Sequence, residues 1–118
     1  MAESVRALVV DDEESICWGL KRLGETLGHE VVTASSAEEA IECVPHVRPD
    51  VVLLDVRLPR MNGLAAMPKL QSLAAGVPII VMTAYGDLET AVCAIRQGAF
   101  DYVVKPFDLQ TIEHALQR

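Results

Sequence analysis

Val51-Val52-Leu53-Leu54-Asp55 decides how the rest of the chain is read. Four consecutive aliphatic residues leave no polar face, the pattern of a strand buried on both sides in a parallel sheet. The run stops on a carboxylate. Val56-Arg57-Leu58-Pro59-Arg60-Met61-Asn62-Gly63 follows, with the Pro and Asn-Gly punctuation of a loop. Open α/β sheets place their ligands beyond the carboxyl ends of their strands. Asp55 is therefore expected at the chemical centre, with the other strands bringing groups to it.

Four more strands can be read on either side of this one. Ala7-Leu8-Val9-Val10 ends on Asp11-Asp12-Glu13-Glu14, and a helix follows with Ile16, Leu20, Leu23 and Leu27 in one apolar stripe, stopped by Gly28. Val31-Val32 makes the next strand, and Ser36-Ala37-Glu38-Glu39 is a capping box that opens a second helix. Beyond Gly63, Pro68 falls inside the stretch Leu64 to Leu73. Proline suits only a helix's first turn, so the third helix is expected to start late, near Pro68, after an irregular segment. Pro78-Ile79-Ile80-Val81-Met82-Thr83 is a fourth strand. Asp87 can cap a helix with Leu88, Ala91, Val92 and Ile95 inward, ended by Gly98. Tyr102-Val103-Val104 is a fifth strand, and Leu109, Ile112 and Leu116 stripe a fifth helix. Strand and helix alternate five times, which predicts a single doubly wound α/β domain with a parallel sheet and helices on both faces.

Composition bounds the function. A chain of 118 residues is one domain, and at 51% hydrophobic but 4% aromatic its core is aliphatic. Seventeen acids against 10 Lys plus Arg give a net charge of -7, which argues against a nucleic-acid face and suits a domain that holds a cation. Cys17, Cys43 and Cys93 lack Cys-x-x-Cys spacing and read as reduced thiols; His29, His46 and His114 lack metal-ligand spacing and read as surface residues. No apolar run reaches a membrane span of roughly 18 residues, and no signal peptide opens the chain, so a soluble, cytoplasmic protein is expected. No Gly-x-x-x-x-Gly-Lys loop supports nucleotide binding.

The residues that end the strands are Asp11-Asp12, Asp55, Thr83 and Lys105, all on one edge of the inferred sheet. Crowded carboxylates raise one another's proton affinity unless a cation neutralises them. Oxygen ligands with a partly open shell favour Mg²⁺. Lys105 and the Thr83 hydroxyl add donors complementary to phosphoryl oxygens, and an Asp is a competent nucleophile for an aspartyl phosphate. Together these read as a metal-assisted phosphoryl acceptor on Asp55.

Val9-Val10-Asp11-Asp12-Glu13, Leu53-Leu54-Asp55-Val56-Arg57-Leu58-Pro59, Met61-Asn62-Gly63, Met82-Thr83-Ala84 and Val104-Lys105-Pro106-Phe107 resemble the signature blocks of two-component response-regulator receiver domains. The resemblance runs in order through essentially the whole chain. It implies a flavodoxin-like, CheY-like sheet of order 2-1-3-4-5 with five helices. It also implies that Asp55 takes a phosphoryl group from the phosphohistidine of a sensor histidine kinase, and that Mg²⁺ is bound by Asp12, Asp55 and the backbone carbonyl of Arg57, with Asp11 acting through water. Lys105 would pair with the phosphoryl group and Thr83 would turn its hydroxyl toward it. Catalysis would be limited to this self-directed transfer and slow autodephosphorylation.

Ala84-Tyr85-Gly86-Asp87-Leu88-Glu89-Thr90-Ala91-Val92 and Gln97-Gly98-Ala99-Phe100-Asp101-Tyr102 are similar to the receivers of NtrC-type transcription activators, in which ATPase and DNA-binding domains lie downstream. Pro68 and Val104 depart from that pattern, away from the acids. The last helix carries no stop signal before Arg118, so residues 1–118 are expected to be the receiver at the N-terminus of a longer transcriptional regulator. Further expectations follow. Thr83 and Tyr102 form a switch that biases the face of the fourth helix, fifth strand and fifth helix, leading to a homodimer. Trp18, opposite the apolar stripe of its helix, docks the kinase with Pro106 and Phe107. Arg57 and Tyr85, two residues after Asp55 and Thr83, obstruct hydrolytic water and slow phosphoryl loss. A stand-alone receiver acting on a separate target is the alternative. An aspartyl-phosphate hydrolase is a third reading, disfavoured because Asp55-Val56-Arg57 lacks the second acid of a D-x-D nucleophile motif.

Overall fold

A computed structural model describes residues 4–58, 61–84 and 87–105. Their elements alternate: β1 (Arg6–Val10), α1 (Glu14–Thr26), β2 (Glu30–Ala34), α2 (Ala37–Val47), β3 (Val51–Asp55), α3 (Gly63–Leu73), β4 (Ile79–Ala84), α4 (Leu88–Arg96) and β5 (Asp101–Lys105). The five strands form one sheet in the order β2-β1-β3-β4-β5, and every neighbouring pair is parallel. This is the expected topology. The fifth helix, expected over Leu109, Ile112 and Leu116, lies outside the described residues.

Successive strand side chains point to opposite faces, and the two-residue period sorts the aliphatic runs into two cores. Leu8, Val10, Val52, Leu54, Ile79 and Val81 pack on one face with Ala40 and Val44 of α2, Met67 and Leu70 of α3, and Ala94 of α4. Ala7, Val9, Leu53, Ile80, Met82 and Val103 pack on the other, where Leu20 of α1 covers them. All five residues of β3 are buried, as a central strand with no polar face requires.

The helix starts follow local chemistry only in part. The Ser36 hydroxyl accepts the Glu39 N–H at 3.0 Å, as a capping box predicts. The Glu39 carboxylate, however, reaches back to the Ser35 hydroxyl at 2.9 Å rather than to the backbone of the cap itself. Gly28 has φ +88°, a left-handed conformation that glycine adopts without Cβ strain, and its N–H bonds the Glu25 carbonyl at 3.1 Å to close α1.

Two expectations are corrected. The third helix does not wait for Pro68: it begins at Gly63, with the Asn62 side chain accepting the Ala65 N–H at 2.8 Å. Gly63 donates to the Val56 carbonyl at 3.0 Å, and Ala66, Met67 and Leu70 are buried against the sheet. This docking outweighs the hydrogen bond lost at Pro68, which sits on the exposed side. The second correction concerns the phase of α4. Ala91 and Ala94 face the core, whereas Leu88, Val92 and Ile95 are exposed. Two alanines allow the helix to lie close to the sheet, and the larger side chains are turned outward along its flank.

Pro68→Ala restores a helix-interior N–H. It should stabilise the domain by about 2–3 kcal/mol in urea melts, the interior-proline penalty less the added unfolded-state entropy. Gly63→Ala should destabilise by about 1–3 kcal/mol, because a Cβ there collides with the Asp55 carbonyl and the Val56 Cα. An unchanged urea midpoint in either variant would contradict the assignment.

Candidate functional site

The parallel ladder delivers the acids to one rim. Beyond β1, the Asp11 N–H still bonds the Ala34 carbonyl at 3.0 Å; beyond β3, the Val56 N–H bonds the Met82 carbonyl at 3.3 Å. Pairing therefore extends one residue past each strand, and Asp11 and Asp55 are held in the sheet rather than on loose loops. One carboxylate oxygen from each of Asp11, Asp12 and Asp55 lies within 4.8 Å of the others. Asp11 is 1% and Asp55 5% exposed, while Asp12 faces solvent. The cluster is thus open toward Asp12 and closed behind.

Each buried carboxylate is oriented by its own backbone. Asp11 Oδ1 accepts the Glu13 N–H at 2.9 Å, and Asp55 Oδ1 accepts the Arg57 N–H at 3.0 Å. Both are turns closed by an aspartate on the residue two ahead, a favoured use of this side chain where a strand gives way to a loop. The Asp11 carbonyl also accepts the Cys17 thiol at 3.2 Å, tying the rim to α1. Three carboxylate donors at this spacing suit a hard divalent cation, whose charge offsets their mutual repulsion.

Thr83 follows Met82, which is the register partner of Asp55, and it is buried. Its hydroxyl is directed to the Val103 carbonyl at 3.5 Å, a long bond across to β5. Lys105 ends β5 opposite Ala84, so its backbone reaches the same edge as the acids. Tyr102 stands on β5 opposite Val81, half exposed. Tyr85, Pro106 and Phe107 lie outside the described residues.

Trp18 is 66% exposed, in keeping with its helical phase, and the Arg22 guanidinium lies 5.2 Å from its ring centroid. A hollow of about 590 Å³ runs from Asp11 and Asp12 along α1 to Cys17, Trp18 and Lys21. A second, of about 580 Å³, opens on the other side of Asp12 among Arg57, Asn62, Leu64 and Thr90. The exposed acid therefore sits between two concave surfaces.

Sequence reasoning placed Arg57 over Asp55 and missed its partner. The guanidinium donates to Asp87 Oδ2, from Nη2 at 2.9 Å and from Nε at 3.2 Å, while the Thr90 hydroxyl donates to Asp87 Oδ1 at 2.6 Å. The Thr90 hydroxyl first, and the Arg57 guanidinium next, hold the Asp87 carboxyl below the usual carboxylate range. Asp87 occupies the N-cap position of α4 but makes no side-chain bond to a first-turn N–H. The pair spans 30 residues, so neither local spacing nor composition could have announced it. Cys17, Cys43 and Cys93 are thiols rather than disulfides, and burial, then Glu39, raises the Cys43 thiol's pKa. His29 has a structural role, its Nδ1 accepting the Val5 N–H at 3.0 Å. Among the described residues, no helix is long and apolar enough to cross a membrane.

Comparison with known proteins agrees with this geometry. Regulatory protein AtoC of Escherichia coli (strain K12) is 42% identical over 113 residues, covering 96% of this chain and 24% of that protein. DNA-binding transcriptional regulator NtrC of Klebsiella pneumoniae is 43% identical over 103 residues, covering 87% of this chain and 22% of that protein. The chain thus spans about a quarter of the length of these relatives. The crystal structure of NtrX from Brucella abortus superposes with a TM-score of 0.94 at 33% identity, over 98% of this chain and 27% of that one. Residues 7–117 match the family described as the response regulator receiver domain. With its sheet order, its acidic rim and this match in agreement, the chain belongs to the response regulator receiver domain family.

Proposed function

We propose that Asp55 accepts a phosphoryl group from the phosphohistidine of a sensor histidine kinase, and that the resulting charge switches the α4–β5 side of the domain. The observation that carries this reading is the trio Asp11, Asp12 and Asp55, with carboxylate oxygens within 4.8 Å of one another and an opening on the Asp12 side. In the transfer, an Asp55 carboxylate oxygen bonds to phosphorus, the phosphorus–nitrogen bond to the kinase histidine breaks, and the imidazole, protonated on its other ring nitrogen, leaves with the electron pair. The products are an aspartyl phosphate and a neutral histidine.

Asp12, Asp55 and the Arg57 carbonyl would hold Mg²⁺, with Asp11 acting through water, and the ion would neutralise charge shared by the acids and the phosphoryl oxygens. The buried turn at Asp55 presents the nucleophile in a set orientation. Lys105, at the same sheet edge, pairs with the phosphoryl group, and the Thr83 hydroxyl leaves the Val103 carbonyl to bond it. Thr83 moves inward and Tyr102, which stands opposite Val81 on β5, fills the space. Trp18, bordering the hollow that starts at the acids, docks the kinase together with Pro106 and Phe107. Arg57 and Tyr85 flank the phosphoryl group and slow its hydrolysis. Beyond self-directed transfer and this slow loss, the domain turns over no substrate.

The output proposed is that of the NtrC-type relatives: downstream ATPase and DNA-binding domains in a cytoplasmic transcription activator, controlled through dimerisation on phosphorylation. The likeness to AtoC and NtrC, each about four times the length of this chain, supports that assignment. The receiver's net charge of -7 is in keeping with DNA contact made by another domain.

Acetyl phosphate with Mg²⁺ should add a single phosphoryl group to the wild type, seen by intact mass, and none to Asp55→Asn or after chelation. Equal labelling of Asp55→Asn would sink the assignment. Thr83→Ala should retain labelling yet lose the phosphorylation-induced shift of the Tyr102 ring resonances; an unaltered shift would show that Tyr102 does not follow Thr83.

A further inference from the structure

The Arg57–Asp87 pair joins the loop that follows Asp55 to the residue that precedes α4. Arg57 lies two residues beyond Asp55, and its N–H already bonds the Asp55 carboxylate at 3.0 Å. Its guanidinium crosses 30 residues of sequence to grip one oxygen of Asp87. The Asp87 side chain is 15% accessible and that of Arg57 is 70%, so the arginine closes over the carboxylate from outside. The other Asp87 oxygen is taken by Thr90 in the first turn of α4. At its far end, α4 is tied to α3 by the Gln71 amide, which donates to the Gln97 carbonyl at 3.0 Å. Between these ties, Ala91 and Ala94 alone of this nine-residue helix are buried, and Leu88, Val92 and Ile95 are exposed. The shallow packing of α4 leaves much of its placement to the polar ties at its ends.

We propose that the Arg57–Asp87 pair is a charge latch that holds the start of α4 in the unphosphorylated domain and opens when a phosphoryl group on Asp55 captures the guanidinium. The trigger rests on the phosphoacceptor reading given above. A phosphoryl group carries close to two negative charges against one on Asp87, and its oxygens match the guanidinium fork. Arg57 is anchored beside Asp55, so the exchange of partners needs a change of side-chain rotamer and no backbone displacement. Once released, the Asp87 carboxylate is able to turn to the first-turn N–H groups of α4, which it does not cap while Arg57 and Thr90 hold it. The start of the helix then rearranges, and the exposed Leu88–Val92–Ile95 flank moves with it. Phosphoryl capture also accounts for the proposed shielding role of Arg57: one side chain serves as latch before transfer and as cover after it. Because the arginine is largely exposed, the latch biases an equilibrium and does not lock it.

The test is backbone amide exchange in α4 followed by NMR, read at Ala91, whose N–H bonds the Asp87 carbonyl at 3.3 Å. In unphosphorylated protein at low salt, Arg57→Gln and Asp87→Asn should each speed Ala91 exchange about threefold, as loss of one partly exposed ion pair predicts. The double variant should go no further than either single one. High salt should shrink the difference between wild type and variants, which a purely steric role for either residue would not do. Phosphorylation should bring wild type at least to the level of unphosphorylated Arg57→Gln and change that variant less than it changes wild type. Unaltered exchange in both single variants would overturn the latch. A phosphorylation response in Arg57→Gln as large as in wild type would overturn its opening by guanidinium capture. Failure of Asp55 to take up phosphate at all would sink the phosphoacceptor reading and the trigger, while the unphosphorylated variants would still decide whether the pair holds α4.

Discussion

Three aspartate carboxylates gathered within 4.8 Å at one rim of an aliphatic sheet set the terms for everything else in this domain. Like charges at such range oppose the arrangement, so the fold must hold them there. It does so with backbone: the β1–β2 and β3–β4 ladders each run one residue past the strand, and the Glu13 and Arg57 amides fix the orientation of Asp11 and Asp55. The favourable burial comes from the two aliphatic cores above and below β3, where Leu53 and Leu54 point to opposite faces. A rim built in this way carries a standing preference for positive charge, the property that a divalent ion, Lys105 and Arg57 would each answer.

The same constraint shapes the neighbouring helices. Gly63 lets the start of α3 lie directly on the Asp55 and Val56 backbone, where no side chain fits. Ala91 and Ala94 let α4 lie close to the sheet, so the segments flanking the acids meet at short range. Arg57 spans the interval between them. A change of charge at Asp55 would thus be felt at α4 through a guanidinium two residues away, alongside the buried route from Thr83 across β5 to Tyr102. Both proposed routes end on the same side of the sheet.

Legibility in the sequence follows the range of the forces involved. The strands were readable because runs such as Val51–Leu54 and Ile79–Met82 have no polar face in any register, so context has little to alter. The acidic rim was readable because parallel strands share a direction, which puts every strand's last residue on one edge. The start of α3 was misread because Pro68 speaks only for local propensity, against which stand the local Asn62 cap on the Ala65 N–H and the burial of Met67 and Leu70 against the sheet. The phase of α4 was misread because its leucine, valine and isoleucine outweigh its alanines in hydrophobicity but not in fit.

By itself, then, the sequence determined the α/β alternation, the parallel sheet, and the acids together with Thr83 and Lys105 at its carboxyl edge, since periodicity and chain direction are local properties. It also carried the family blocks. Only the tertiary structure decided that α4 turns its alanines inward and that the Arg57 guanidinium is held by Asp87. Those outcomes depend on distances between segments far apart in the chain, and a salt bridge or a helix rotation is settled by which surfaces meet after the sheet has formed.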